Sequence, residues 1–226
     1  MQLIGMLDSP YVRRVAISLQ LLELRFEHRA LSVFSTFDEF QRINPLVKAP
    51  TLICDDGTVL MDSGLILDYA ETLAAPRSLM PRGLADRVRA LRIIGLALAA
   101  CEKSVQVVYE HNLRPQEKLH QPWLDRVVGQ LRAACQALQD EWAGRVPELS
   151  EATIDQAAVT TAVAWQFAVQ MLPELIDPAQ YPALAELSAR AERLPSFRAA
   201  PHGIGTCSAS ACPSTIAIPA AWWCRG

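Results

Sequence analysis

The sequence lacks any apolar run long enough to cross a membrane. Its most apolar stretches, residues 93–101 and 157–164, are far shorter than the roughly 20 residues that a membrane helix needs. No Lys or Arg precedes the N-terminal apolar stretch, and Asp8 and Pro10 interrupt it early, which argues against a secretory signal. We therefore expect a soluble, cytoplasmic protein with no membrane partner.

The chain also lacks a basic stripe and a block of like charge. Its 226 residues carry 21 basic and 24 acidic side chains, a net charge of −3, and the two signs are interleaved. A nucleic-acid-binding surface would need clustered Lys and Arg, so the sequence predicts no nucleic-acid partner.

Cysteine pairs at metal-binding or redox spacing are missing as well. None of the six cysteines forms a C-x-x-C pair, and Cys54, Cys101 and Cys135 sit in apolar segments typical of buried, reduced thiols. His111 and His120 are nine residues apart and do not share a helix face, so we expect no metal site.

The first 75 residues alternate between strand and helix patterns. A strand over 2–6, a helix over 10–24 and a strand over 26–33 predict parallel pairing with a right-handed crossover. A short helix over 37–43 follows, and Asp-Asp-Gly between the apolar runs 51–54 and 58–61 predicts a hairpin. A helical stripe over 64–74 then completes a small mixed sheet with helices on both faces.

From residue 85 onward the pattern is helical only. We predict a linker over 76–84, an all-helical domain over 85–201 and an irregular tail over 202–226 that carries no chemistry. The predicted helices cover 88–112, 117–142, 154–172 and 182–192. Thr153 followed by Gln156 matches a capping box, and the nearly uncharged helix after it should lie at the centre of this domain.

The first helix begins with a hydroxyl directly after a strand. Ser9 is a favoured N-cap residue and Pro10 a favoured first helical residue, so free backbone N–H groups and the positive end of the helix dipole should lie beside Ser9. The pattern indicates a site for an anion.

Four motifs occur in order along the chain. They are Ser9-Pro10-Tyr11-Val12-Arg13-Arg14-Val15, Asn44-Pro45-Leu46-Val47-Lys48-Ala49-Pro50, Asp62-Ser63-Gly64-Leu65-Ile66-Leu67-Asp68-Tyr69 and Leu194-Pro195-Ser196-Phe197-Arg198. With these motifs, residues 1–200 resemble the cytosolic glutathione S-transferases, and in particular short bacterial members with Ser at the start of the first helix. The resemblance implies a thioredoxin-like α/β domain over 1–75 that binds glutathione, an all-α C-terminal domain that holds a hydrophobic electrophile, and a homodimer.

The resemblance also implies roles for single residues in binding glutathione as co-substrate, with no other cofactor. Pro50 would follow a cis peptide bond, and extended backbone at Ala49 would pair with the cysteinyl part of glutathione. Asp62 would accept from the γ-glutamyl ammonium and Ser63 would bind the neighbouring carboxylate, while Lys48 is a candidate for the glycine carboxylate.

Ser9 matches the family position that activates the thiol. Lowering a thiol pKa by about two units needs roughly 2.7 kcal/mol. A hydrogen bond to a charged group contributes about 1.5–3 kcal/mol, and a helix terminus adds roughly 0.3–1 kcal/mol, so no general base is required. We expect Ser9 to hold the thiolate for attack on an electrophilic carbon.

Simpler interpretations stay open at this stage. Ser9 and Asp62-Ser63 could be helix caps only, and Lys48 could be merely solvated. Tyr11, Tyr109 and Trp165 are candidates for the second-substrate pocket, although ordinary packing explains each equally well. The alternative function is a non-catalytic interaction module, like the bacterial starvation-type regulators of this fold. A thiol-disulfide activity would need Cys where Ser9 stands.

Overall fold

The computed structural model describes residues 1–207, which form a small mixed sheet followed by a bundle of helices. The tail prediction for residues 208–226 lies outside the described residues. The strands and the helices of the first part are β1 (Gln2–Ile4), α1 (Pro10–Leu21), β2 (Glu27–Arg29), α2 (Phe37–Ile43), β3 (Thr51–Ile53), β4 (Val59–Met61) and α3 (Ser63–Ala74).

The sheet has the strand order β2-β1-β3-β4. β1 and β2 are parallel, as the strand–helix–strand pattern predicted, with Leu3 opposite His28. β3 is antiparallel to β1 and to β4, so the predicted hairpin is confirmed. Each strand is only three residues long, shorter than predicted.

The chain leaves β1 through Gly5, which fixes where α1 begins. Gly5 has a φ of +138°, and a Cβ built there would lie 2.6 Å from a methyl carbon of Val12. Only glycine fits this backbone conformation and this close approach. Strand and helix therefore pack tightly, and the turn between them carries Ser9.

The second part of the described chain is helical, as predicted. Its α-helices are α4 (Leu84–Leu113), α5 (Gln121–Trp142), α6 (Gln156–Met171), α7 (Pro182–Ala191) and α8 (Pro195–Ala199). Two short 3-10 turns, Gln116–Lys118 and Pro178–Gln180, separate α4 from α5 and α6 from α7. Among the described helices, none has the length and apolar character to cross a membrane.

α6 lies in the interior, as its lack of charge predicted, but its cap differs from the expected one. The predicted capping box at Thr153 is wrong: the N-cap is Asp155, whose carboxylate accepts from Ala158 N at 2.8 Å. Thr153 instead stabilises the preceding turn, accepting from Ser150 N at 3.0 Å. A carboxylate nearer to the free N–H groups takes the cap.

α1 joins the two parts of the molecule, because it contacts α3 on one side and α6 and α8 on the other. Ser18 in α1 donates to the amide oxygen of Gln156 in α6 at 3.0 Å. Arg13, also in α1, is completely buried and forms an ion pair with Glu192. The helix that starts at Ser9 is therefore held by both parts.

Candidate functional site

The start of α1 presents the hydroxyl of Ser9. Ser9 is the N-cap residue, with extended backbone, and its Oγ accepts from Val12 N over 3.5 Å. That distance is at the long limit of a hydrogen bond, so the cap interaction is weak. An N-cap oxygen accepts, so the hydroxyl proton of Ser9 is still available to donate to an anion.

A cavity of about 650 Å³ opens beside Ser9. It brings together five of the predicted site residues: Ser9, Tyr11, Lys48, Ala49 and Tyr109. The strand–helix turn contributes the polar residues Asp8 and Ser9, and most of the lining residues from the loop after β2 and from α4 and α6 are apolar. These include Leu31, Val33, Phe34, Val105, Val108, Leu113, Phe167 and Met171.

The loop before β3 forms one wall of the cavity. The Ala49–Pro50 peptide bond is cis, as expected from the resemblance. Thr51 Oγ1 donates to the carbonyl of Lys48 at 2.7 Å and accepts from Asn44 Nδ2 at 2.9 Å. Asn44 and Thr51 are both buried. These buried bonds hold the backbone of Lys48 and Ala49 against the cavity.

Asp62 caps α3 and also faces Lys48. Its Oδ1 accepts from Gly64 N at 2.9 Å, and its Oδ2 lies 3.8 Å from Lys48 Nζ. Asp62 has a φ of +72°, a conformation that non-glycine residues rarely adopt. Both charged groups are about half exposed, so the ion pair itself contributes little to stability and leaves both groups accessible to a ligand.

Ser63 lies behind Asp62 and contacts a buried cation. It is the first residue of α3, and its Oγ accepts from Arg14 Nη1 at 2.9 Å. Arg14 is 2% exposed, and its Nε has no hydrogen-bond partner among the described residues. Asp62 and Ser63 do not line the cavity directly, but Asp62 lies beside Lys48, which does line it.

Burial shifts the pKa values of Arg14, which contacts Ser63, and of Tyr11, which lines the cavity. Desolvation lowers the pKa of Arg14 to about 10, which still leaves the guanidinium charged at neutral pH. Burial also raises the pKa of Tyr11 well above its ordinary value, and the nearby Cys101 and Glu102 add to this effect. Tyr11 therefore presents a neutral phenol to the cavity.

Tyr109 lines the cavity with an aromatic ring. Its ring packs edge-on against Phe34, with 5.7 Å between the centroids, and both rings are about half exposed. Burial raises the pKa of Tyr109, and the carboxylate of Asp8 raises it further. The pair offers aromatic surface beside Ser9.

The expectation that Trp165 lines this pocket is corrected by the structure. Trp165 is 6% exposed and packs edge-on against Tyr181, with 5.6 Å between the ring centroids. Its neighbours on α6, Phe167 and Met171, line the cavity instead. They lie two and six residues further along α6, so their side chains leave the helix in other directions.

Sequence reasoning missed two features of the site. Phe34 lies in a loop without periodicity, so no sequence signal pointed to it. Arg14 lies inside the quoted motif, but two adjacent arginines on a helix suggest surface or inter-domain ion pairs. Arg13 does form a pair between the two parts of the molecule, with Glu192, whereas Arg14 is buried against the hydroxyl of Ser63. Within residues 1–207, no cluster of His, Cys, Asp or Glu has the arrangement of a metal site.

The fold and the site together define a thioredoxin-like sheet followed by a helical bundle, with a cavity beside the first helix. Residues 3–78 match the family model described as the N-terminal domain of glutathione S-transferase. A glutathione transferase family member from Pseudomonas fluorescens Pf-5, solved with bound S-(propanoic acid)-glutathione, is 32% identical over 88% of this chain and 98% of its own, with a TM-score of 0.72. The chain belongs to the glutathione S-transferase family.

Two further relatives differ in how much they match. The uncharacterized GST-like protein YibF of Escherichia coli is 30% identical over 97 residues, which is 43% of this chain and 48% of that protein, so the match spans about half of its length. A probable maleylacetoacetate isomerase 2 of Drosophila melanogaster is 24% identical over 83% of this chain and 81% of its own length.

Proposed function

We propose that the protein is a glutathione transferase that conjugates reduced glutathione to hydrophobic electrophiles. The observation that carries this proposal is the position of Ser9, whose hydroxyl opens onto the same cavity as the Lys48–Ala49 loop and the apolar surface of Tyr109. A thiol bound along the loop would reach Ser9, and an apolar electrophile would fit beside it. The Pseudomonas fluorescens relative, solved both with glutathione and with S-(propanoic acid)-glutathione bound, supports this assignment.

In the proposed reaction Ser9 stabilises the ionised sulfur. The thiol of glutathione releases its proton to solvent, and Ser9 Oγ–H and the start of α1 stabilise the thiolate. The thiolate attacks the electrophilic carbon and a C–S bond forms, while the bond to the leaving group breaks and that group takes the electron pair. Catalysis is activation of the nucleophile plus proximity.

The remaining proposed contacts hold glutathione. The backbone of Ala49, ahead of Pro50, pairs with the cysteinyl part, and Lys48 attracts the glycine carboxylate. Asp62 and Ser63 bind the γ-glutamyl end. Lys48 and Asp62 are both about half exposed and only 3.8 Å apart, so each retains the capacity to bind a ligand charge.

The test is Ser9→Ala, with Ser32→Ala as a matched control because Ser32 lines the same cavity from another loop. We expect Ser9→Ala to lower kcat for a chloronitroarene by about tenfold or more, the equivalent of one charge-assisted hydrogen bond, and to change glutathione affinity much less. Ser32→Ala should keep near wild-type turnover. Equal loss of turnover and affinity, or no loss, would contradict the role of Ser9.

Calorimetry separates this function from a non-catalytic interaction module. A transferase binds glutathione at millimolar concentration or below, whereas a module that has lost this chemistry does not. Absence of binding by the wild-type protein would overturn the proposal. Conjugation of varied electrophiles would give the protein a detoxification role in the cytoplasm.

We also propose that the protein is a homodimer, with domain boundaries at 1–75 and 85–201. Large apolar side chains on α3 and α4 are more than half exposed, namely Leu65, Leu84, Val88 and Leu91. A self-complementary interface would cover such residues. Light scattering should give twice the mass of 24.9 kDa and a single chain mass for the Leu91→Glu variant.

A further inference from the structure

A buried, charged side chain, that of Arg14, lies behind the start of α3, and its hydrogen-bond partner there is the neutral hydroxyl of Ser63. The carboxylate of Asp62 stabilises the charge of Arg14 without forming a hydrogen bond to it, because that carboxylate faces Lys48 and caps Gly64 N. Arg14 is 2% exposed, its Nη1 donates to Ser63 Oγ at 2.9 Å, and its Nε lacks a hydrogen-bond partner among the described residues. A buried cation is costly unless an anion compensates it. The arrangement therefore favours an anion beside Ser63, at the start of α3.

The neighbouring Arg13 contrasts with it. Arg13 is equally buried, but its two Nη atoms donate to the two carboxylate oxygens of Glu192, each at 2.7 Å, and its Nε donates to the carbonyl of Ala200 at 2.8 Å. Each of its three guanidinium nitrogens donates a hydrogen bond within the described chain. Two adjacent arginines on one helix thus differ in that only Arg13 has a dedicated carboxylate.

Arg14 also determines which way the hydroxyl of Ser63 donates. Because Nη1–H donates to Ser63 Oγ, that oxygen is the acceptor, and its own proton is directed away from the guanidinium. Within the described chain Ser63 Oγ only accepts a hydrogen bond, so at this helix start its hydroxyl proton is available to donate to a ligand. A cation behind a hydroxyl strengthens the hydrogen bond that the hydroxyl donates.

We propose that Arg14 is a positioning residue for the α-carboxylate of the γ-glutamyl group: it orients the Ser63 hydroxyl toward that carboxylate and supplies the compensating buried charge. The inference rests on the proposed function, since it takes glutathione as the ligand. It adds that recognition of the γ-glutamyl end depends on a residue of α1 that does not line the cavity. Asp62, about half exposed, complements it by facing the ammonium group.

The experiment compares two ligands and two arginines. Affinities are measured by calorimetry for glutathione and for its analogue in which the γ-glutamyl α-carboxylate is a carboxamide. Wild-type protein should prefer glutathione by about tenfold or more, the range expected for a hydrogen bond to a charged group. Arg14→Met should abolish most of this preference, and Arg14→Lys, which keeps the charge, should restore part of it.

Arg13→Met is the matched control. It removes a buried arginine from the same helix, so it should lower the Tm while the preference for glutathione over the amide stays intact. Ser63→Ala offers a second measurement should Arg14→Met fold poorly, because it removes the hydroxyl without removing the cation, and it should lower the preference as well.

The outcomes separate this inference from the assigned function. A wild-type protein that binds neither ligand overturns both. A wild-type protein that binds glutathione, combined with an Arg14→Met or Ser63→Ala variant that keeps the full preference, overturns only the role of Arg14. If Arg13→Met and Arg14→Met lose the preference for glutathione over the amide equally, both arginines act only through the stability of the fold, and the positioning role of Arg14 is overturned.

Discussion

Arg13 in α1 and Glu192, just after α7, form a two-bond ion pair that joins the N-terminal part to the helical part. The guanidinium is 1% exposed, whereas the carboxylate keeps 29% of its side-chain surface. The Arg13 guanidinium also lies over the Phe197 ring, 5.6 Å from its centroid. Arg13 is therefore the partner whose charge needs the ion pair for compensation, because water reaches Glu192 but not Arg13.

Glu192→Ala should destabilise the protein strongly, because it leaves Arg13 charged and without its carboxylate in the interior. Breaking a buried pair from one side costs about 3–5 kcal/mol. The matched control is Glu186→Ala, which removes an exposed i,i+4 pair with Arg190 that contributes about 0.3–0.5 kcal/mol. Chemical denaturation measures both, and comparable losses in the two variants would contradict the role assigned to Glu192.

Ser9→Cys should convert the proposed conjugation site to thiol-disulfide chemistry. A thiol at a helix N-terminus has a lowered pKa and attacks a disulfide sulfur; one S–S bond breaks, another forms, and a thiolate is released. We expect glutathione-dependent reduction of a mixed disulfide to appear while conjugation falls. Ser32→Cys, in the same cavity but away from a helix start, should gain far less. Among the six native cysteines, Cys101 and Cys135 are buried, with pKa values raised to about 12, so these two give little background, and the wild-type protein supplies the baseline for all six.

Tyr109→Ala should weaken binding of the electrophile and leave glutathione affinity nearly unchanged. Tyr109 lines the cavity and its ring packs against that of Phe34. Loss of an aromatic contact of about 0.5–1.5 kcal/mol corresponds to a roughly two- to tenfold rise in KM. Trp165→Ala is the contrasting variant, since Trp165 packs in the core against Tyr181. It should cost about 3–5 kcal/mol of stability. The KM for a chloronitroarene and the Tm distinguish the two variants. A raised KM with an unchanged Tm in Trp165→Ala would show that Trp165 contacts the electrophile after all.

Protonation of His28 should destabilise the fold in mildly acidic solution. The carbonyl of Gly5 lies 2.7 Å from Nε2, and Cys207 N donates to Nδ1 at 2.9 Å, so the ring is neutral with its proton on Nε2. Burial lowers the pKa of His28 below its ordinary 6.5. At a pH between the folded pKa of His28 and its ordinary pKa of 6.5, the unfolded chain binds more protons than the folded chain. The contribution of neutral His28 to the free energy of unfolding is therefore fully present above about pH 6.5 and is lost as the pH drops through the folded pKa.

The pH dependence is checked by unfolding from pH 8 to pH 5. In a plot of the free energy of unfolding against pH, His28→Gln should reduce the loss of stability on the acid side by about 0.5–1.5 kcal/mol, the contribution of one hydrogen bond. Some acid sensitivity should persist, because burial and Arg13 also lower the pKa of His202. The exposed His120→Gln variant should follow the wild-type curve, and a His28→Gln curve that does the same would refute this account.

Local patterns predicted the elements well where a single segment determines its own structure. Ser9-Pro10 marked the start of α1, and the Asp-Asp-Gly turn marked the hairpin, because turn and cap chemistry act over a few residues. The cap of α6 was misassigned because Thr153 and Asp155 both suit a cap. The competition was decided by which side chain reaches the free N–H groups.

Pairings between distant segments were not visible in the sequence. Arg13 and Arg14 are adjacent and chemically identical, yet one meets Glu192 and the other meets Ser63. Their difference arises from the packing of α1 between α3, α6 and α8, to which segments far along the chain contribute. Trp165 was misassigned for the same reason: periodicity marks α6 as buried, but not which of its residues face the cavity and which face Tyr181.

The shared position of α1 has a consequence for how the protein unfolds. A fragment ending near residue 75 would expose to water the face of α1 that packs on α6, and it would leave Arg13 with neither Glu192 nor the Ala200 carbonyl. Loosening of the helical bundle would also release the segment that begins with Ser9. Chemistry at the Ser9 hydroxyl and the packing of residues 192–200 on α1 are therefore tied to a single cooperative transition.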